Sequence, residues 1–100
     1  MILRNTMEDA VYDVIDYLAA HADLLGADAE ACFCTHCRMD VAAIALNHLA
    51  PKYVVTKRGE ALAKAERFQT QFDVDLLGSV VSAIRTVKQD PRHCVAHWNA

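Results

Sequence analysis

One hundred residues, 54% hydrophobic, 23% charged and with a net charge of −3, predict one compact water-soluble domain and leave no room for a second. The longest unbroken apolar run, Val41 to Leu46, is far short of the ~20 residues that span a bilayer, and polar Arg4 and Asn5 follow the start too closely for a secretory signal. Eight of the ten basic residues fall in the second half, five of them between Lys52 and Arg67: too few for duplex nucleic acid, enough for a small anion.

A first helix is expected from Met7 to Leu25, because Met7, Val11, Val14, Ile15, Leu18, Ala22 and Leu25 recur at helical intervals. Asn5 or Thr6 caps it, Asn5-Thr6-Met7-Glu8 having the capping-box spacing, and Gly26 closes it. Glu8 and Asp9 sit where the helix dipole favours them. Residues 27–37 carry no periodicity. A second helix runs from about Arg38 to Leu49, with Val41, Ile44, Ala45, His48 and Leu49 on one stripe, and Pro51 ends it.

Lys52 to Thr56 has the composition of an extended segment, but one such run makes no sheet. Thr56 or Gly59 then opens a long helical pattern through Leu62, Ala65, Phe68, Phe72, Leu76, Val80, Ile84 and Val87. Gln71 to Asp75 kinks or breaks it, and Asp90-Pro91 ends it before a tail from Arg92 to Ala100. The expectation is an all-α fold of four to five helices. About one residue in six is alanine and only 7% are aromatic, so the core is thin and calls for a metal, a disulfide or a second subunit. The apolar stripe from Phe68 to Val87 points to a symmetric dimer.

Cys32-x-Cys34-x-x-Cys37 puts three thiols on one tight loop at the start of a helix, and Cys94 follows Pro91 far along the chain. Closely spaced thiolates suit zinc, which takes four tetrahedral ligands. Free backbone N–H groups at the helix start favour a thiolate at Cys37, and Arg38, Arg92 and His93 offset the charge of the centre. Cys94, His36, His93 and His97 compete as the fourth ligand. The competing readings are four reduced buried thiols, or a redox pair, which leaves the third thiol unexplained. Four cysteines without a secretory signal argue against a disulfide framework and for the cytoplasm.

The run from Cys32-Phe33-Cys34-Thr35-His36-Cys37-Arg38-Met39-Asp40-Val41 through Leu46-Asn47-His48-Leu49 and Pro51-Lys52-Tyr53-Val54 resembles the ComFB domain, a late-competence family of bacteria. The turn Thr56-Lys57-Arg58-Gly59-Glu60, the segment Gln69-Thr70-Gln71, Asp73-Val74 and Cys94 follow in the same order, about two-thirds of the chain in all. The resemblance implies one such domain over residues 1–100, small, α-helical and dimeric. It also implies structural zinc on Cys32, Cys34, Cys37 and Cys94, cyclic dinucleotide binding, and a place in competence, motility or cell-size control.

A cyclic dinucleotide presents two phosphates and two purine faces. Lys52, Tyr53, Thr56, Lys57 and Arg58 supply what it needs: Tyr53 stacks on a purine, and Arg58 pairs with guanine O6/N7 or with phosphate. Gly59 permits close backbone approach to an anion at the helix start. Gln69 and Asp73 are further candidates, although a polar helix face explains them equally well. The bland reading is a solvated basic turn with Tyr53 plugging the core. No catalytic triad, paired acids or glycine-rich phosphate loop occurs, and four thiolates leave zinc no open position, so no enzyme is expected. The expected function is a cytoplasmic receptor for a cyclic dinucleotide, cyclic di-GMP ahead of cyclic di-AMP, that signals to a protein partner. The alternative is a zinc-stapled adaptor in competence or motility machinery that binds only protein.

Overall fold

The computed structural model describes residues 2–70 and 73–90, and within the first of these spans the side chains up to residue 66. Along the chain come β1 (Arg4–Asn5), α1 (Met7–Ala20), a 3-10 segment (Ala22–Asp28), α2 (Thr35–Asn47), β2 (Tyr53–Val54), α3 (Lys57–Thr70) and α4 (Val74–Gln89). The fold is mostly helical, as the periodicity requires. No helix among the described residues is long and apolar enough to cross a membrane.

The core lies where α1, α2 and α4 meet. Val11, Val14 and Ile15 of α1, Val41 and Ala45 of α2, and Val80, Ala83 and Ile84 of α4 are all at most 2% exposed. Alanine at two of these positions lets the helix backbones approach closely. Within α2 the stripe differs from the expected one: Val41, Ala42 and Ala45 are buried, Ile44 and Leu49 are half-buried, and His48 is exposed with its Nδ1 2.8 Å from the Ile44 carbonyl. In α4, Leu76, Val80, Ile84 and Val87 are buried within the chain itself. The stripe expected to cover a dimer partner is therefore engaged at home over its described part.

Three local expectations are corrected. First, α1 stops at Ala20 rather than Leu25, because His21 leaves helical geometry at φ −128°, ψ 49°. A 3-10 segment returns Leu25 to the core, with Gly26 at φ 60° making the reversal that a side chain resists. What holds this segment is Asp28, 5% exposed, whose Oδ2 accepts from Arg85 Nε at 3.1 Å while Lys88 Nζ stands 3.6 Å from Oδ1. This pairing of a buried carboxylate with two more exposed cations is invisible to periodicity. Asp28→Ala is expected to lower stability by about 1.5–3 kcal/mol, the range for a lost charge-assisted bond. Urea unfolding checks it; an unchanged midpoint would show that the Asp28 contacts do not hold the segment.

Second, the extended run at Tyr53–Val54 has a partner, the N-terminal Arg4–Asn5, in antiparallel register Arg4↔Val54 and Asn5↔Tyr53. Asn5 and Thr6 serve this junction as well as the helix start. Asn5 Oδ1 accepts from the backbone N–H of Met7 (3.1 Å) and of Lys52 (2.8 Å), while the Thr6 hydroxyl donates to the Lys52 carbonyl (2.9 Å). Thr6 makes no side-chain cap bond. Arg4 then bridges Asp9 of α1 (2.8 Å) and Glu60 of α3 (3.1 Å).

Third, α2 begins at Thr35, three residues before the expected Arg38, with extended Cys34 as its cap residue. The long third pattern divides as its sequence suggests. Thr56 starts α3, its hydroxyl accepting from the Gly59 N–H at 2.9 Å. A methyl on Gly59 would stand 3.3 Å from the Val54 Cβ, so glycine lets β2 lie close on this turn. Asp73 caps α4, its Oδ1 accepting from the N–H groups of Asp75 (2.9 Å) and Leu76 (3.3 Å). Among the described side chains of α3 only Ala63 is buried.

Candidate metal centre and basic turn

The three clustered thiols converge. The chain enters through Cys32, turns at Cys34 into α2, and the first helical turn brings Cys37 over Cys34 at the spacing of helix neighbours. The Sγ atoms of Cys32, Cys34 and Cys37 all lie within 4.8 Å of one another. Tetrahedral zinc with ~2.3 Å bonds holds its sulfurs roughly 3.8 Å apart, so only small side-chain adjustments separate this cluster from three zinc ligands. The donor set is wholly soft sulfur, which favours zinc over the oxygen-seeking cations. None of the three is in a disulfide; Cys32 and Cys34 are half-buried and Cys37 is buried at 1% exposure.

The three differ in electrostatics. Burial pushes the Cys37 thiol up to about 12, reinforced by negative charge at Cys32. The backbone amide of Cys37 holds Cys34 below the ordinary thiol value. The start of α2 thus favours a thiolate at Cys34, whereas the expected one was Cys37. A bound metal would displace the proton that burial keeps on Cys37.

Of the remaining candidates, Cys94, Arg92, His93 and His97 lie outside the described residues. His36 is exposed and does not belong to the converging group. Arg38, expected to offset thiolate charge, instead pairs with Asp16 of α1 and donates from Nε to the Phe33 carbonyl at 2.7 Å.

The candidate ligand residues fall into two places. Tyr53 (59% exposed), Thr56, Lys57 and Arg58 occupy β2 and the first turn of α3. Among the described residues no ion pair engages Lys57 or Arg58. Thr56 caps α3 with its hydroxyl. Lys52 and Asp73 line a separate hollow of about 280 Å³, together with Glu66 and Asp75. Lys52 is paired there with Glu66, and Asp73 caps α4. The side chain of Gln69 lies outside the described residues. Sequence reasoning missed Asp16 and Asp28, since a carboxylate on a helix face or turn carries no local mark of a partner far along the chain.

The family model of the late competence development protein ComFB matches residues 4–91, a span that holds the three clustered thiols and stops short of Cys94. No curated protein matches. Among solved structures, that of the late competence protein ComFB from Bacillus subtilis is similar with a TM-score of 0.74 at 29% identity, covering 90% of this chain and 94% of that one. A family match across most of the chain, with the similar fold of that solved structure beside it, means that this chain belongs to the ComFB family.

Proposed function

We propose that the chain is a non-enzymatic cyclic dinucleotide receptor, stapled by zinc and dimeric, that signals in the cytoplasm to a protein partner in competence or motility. One observation carries the ligand reading. Lys57 and Arg58 stand in the first turn of α3, where the helix dipole opposes cations by ~0.3–1 kcal/mol each. Folding of the described residues, which give Lys57 and Arg58 no ion pair, supplies no reason for two cations there, whereas an anion bound to them does. Exposed Tyr53 beside them offers a purine its stacking face.

The staple reading rests on the three converging thiols, with Cys94 as fourth ligand. The chain leaves α4 at Asp90, which lines the same hollow as Asp40, one helical turn past Cys37. Four further residues span up to ~14 Å, the length over which Cys94 would have to return to the cluster. A second copy of the chain would cover the exposed Leu62 and Val74. The adaptor reading draws on a different surface, the exposed Leu3, Tyr53 and Val55 around the β1–β2 pairing, which suit a protein partner.

Titration calorimetry with cyclic di-GMP and cyclic di-AMP separates the two. Binding of either is expected, and Arg58→Ala should weaken it by ten- to a hundred-fold, as loss of a charge-assisted pair of about 1.5–3 kcal/mol requires. Lys57→Ala should weaken it less, and more so at low salt. No heat from either nucleotide at tens of micromolar protein decides for the adaptor.

A further inference from the structure

Cys32 and Phe33 lie outside any helix or strand, and Cys34, the cap residue of α2, joins the helix ladder only through its carbonyl. One residue holds two successive carbonyls of this segment. The Arg38 backbone N–H donates to the Cys34 carbonyl at 2.9 Å, and the Arg38 Nε donates to the Phe33 carbonyl at 2.7 Å. Arg38 sits in α2 directly after Cys37, so the same turn that carries the buried thiol also grips the peptide between the other two. The far edge of the guanidinium, Nη1, pairs with Asp16 of α1. Its charge therefore faces a carboxylate, and its effect on the thiols is one of geometry.

We infer that Arg38 is a positioning residue for the thiol centre, holding the Cys32–Cys34 backbone ready for a thiophilic divalent cation of the zinc class, with Asp16 orienting Arg38. The inference rests on the metal reading above. Stability alone does not account for the arrangement: Asp16 is 63% exposed on its side chain, and an exposed ion pair contributes little to folding. A planar fork that donates on two edges at once joins a carbonyl to a carboxylate, which a lysine ammonium cannot reproduce. Hydrogen-bond partners behind metal ligands typically change metal affinity by ten- to a hundred-fold.

The test is zinc competition between the full-length chain and a chromophoric chelator, with the thermal midpoint of metal-free protein read in parallel. Arg38→Ala and Arg38→Lys should both weaken zinc by about ten- to a hundred-fold, and Asp16→Asn by less. All three should leave the metal-free midpoint within a few degrees of the parent, about what an exposed ion pair contributes. Cobalt-loaded Arg38→Lys should show a shifted thiolate-to-cobalt absorption band. Parental zinc affinity in Arg38→Ala, or full recovery in Arg38→Lys, overturns the positioning role and leaves the metal reading standing. A loss of affinity matched by unfolding of the metal-free variants also overturns it. A parent chain that takes up no zinc overturns both.

Discussion

Cys37→Ser is expected to abolish stoichiometric zinc retention and to cost more stability than substitution of Cys32 or Cys34. Cys37 is the most buried of the three, 1% exposed at the start of α2 and part of the core. Serine removes a soft ligand and leaves a hydroxyl where water does not reach, a cost of about 1–3 kcal/mol when the group finds no partner. Loss of the metal adds to this by linkage. A ligand present at a thousand times its Kd stabilises by ~4 kcal/mol, on the order of 15–30 °C in a domain of this size. Cys37→Ala separates the two effects, since it loses the metal without burying a hydroxyl. Elemental analysis and calorimetry with and without chelator measure both. Parental zinc content in Cys37→Ser would remove Cys37 from the centre.

Ile84→Ala should destabilise the fold by about 2–5 kcal/mol, against ~0.5–1.5 kcal/mol for Ile84→Val. Ile84 is 1% exposed on the inner face of α4, in the core it shares with α1 and α2. Those helices already meet through fully buried Ala45 and Ala83, so they have little freedom to close over a cavity. The loss should register as a lower denaturant midpoint with an unchanged slope, since the same surface is exposed on unfolding. Because Ile84 is not among the thiol ligands, zinc stoichiometry should stay at the parental value. A loss below about 1 kcal/mol would mean that the site collapses freely, contrary to close packing of these helices.

The elements readable from sequence are those whose cause is local. The stripes of Val11, Val14, Ile15 and Leu18 and of Leu76, Val80, Ile84 and Val87 announce α1 and α4, because a helix repeats its buried face every 3.6 residues. Thr56 marks a helix start because a cap acts within three residues. Asp73, read as a ligand candidate within a break, is shown as the cap of α4 only by the fold. The three thiols of the candidate centre were equally plain, being packed into six residues around one helix start.

The tertiary structure decided what depends on contact between distant residues. An amphipathic stripe looks the same whether its own chain or another covers it, so the burial of α4 within its own core could not be read from its pattern. Two-residue strands carry no alternation, and the pairing of Arg4–Asn5 with Tyr53–Val54 joins segments almost fifty residues apart. Lys52 counted as one of five clustered cations, yet the fold sets it against Glu66, while Lys57 and Arg58 stand exposed. Periodicity and spacing set the helices and the thiol loop. Asp28 on Arg85, and Asp16 on Arg38 behind that loop, were settled by packing, because a charge acquires its partner only when the chain folds back on itself.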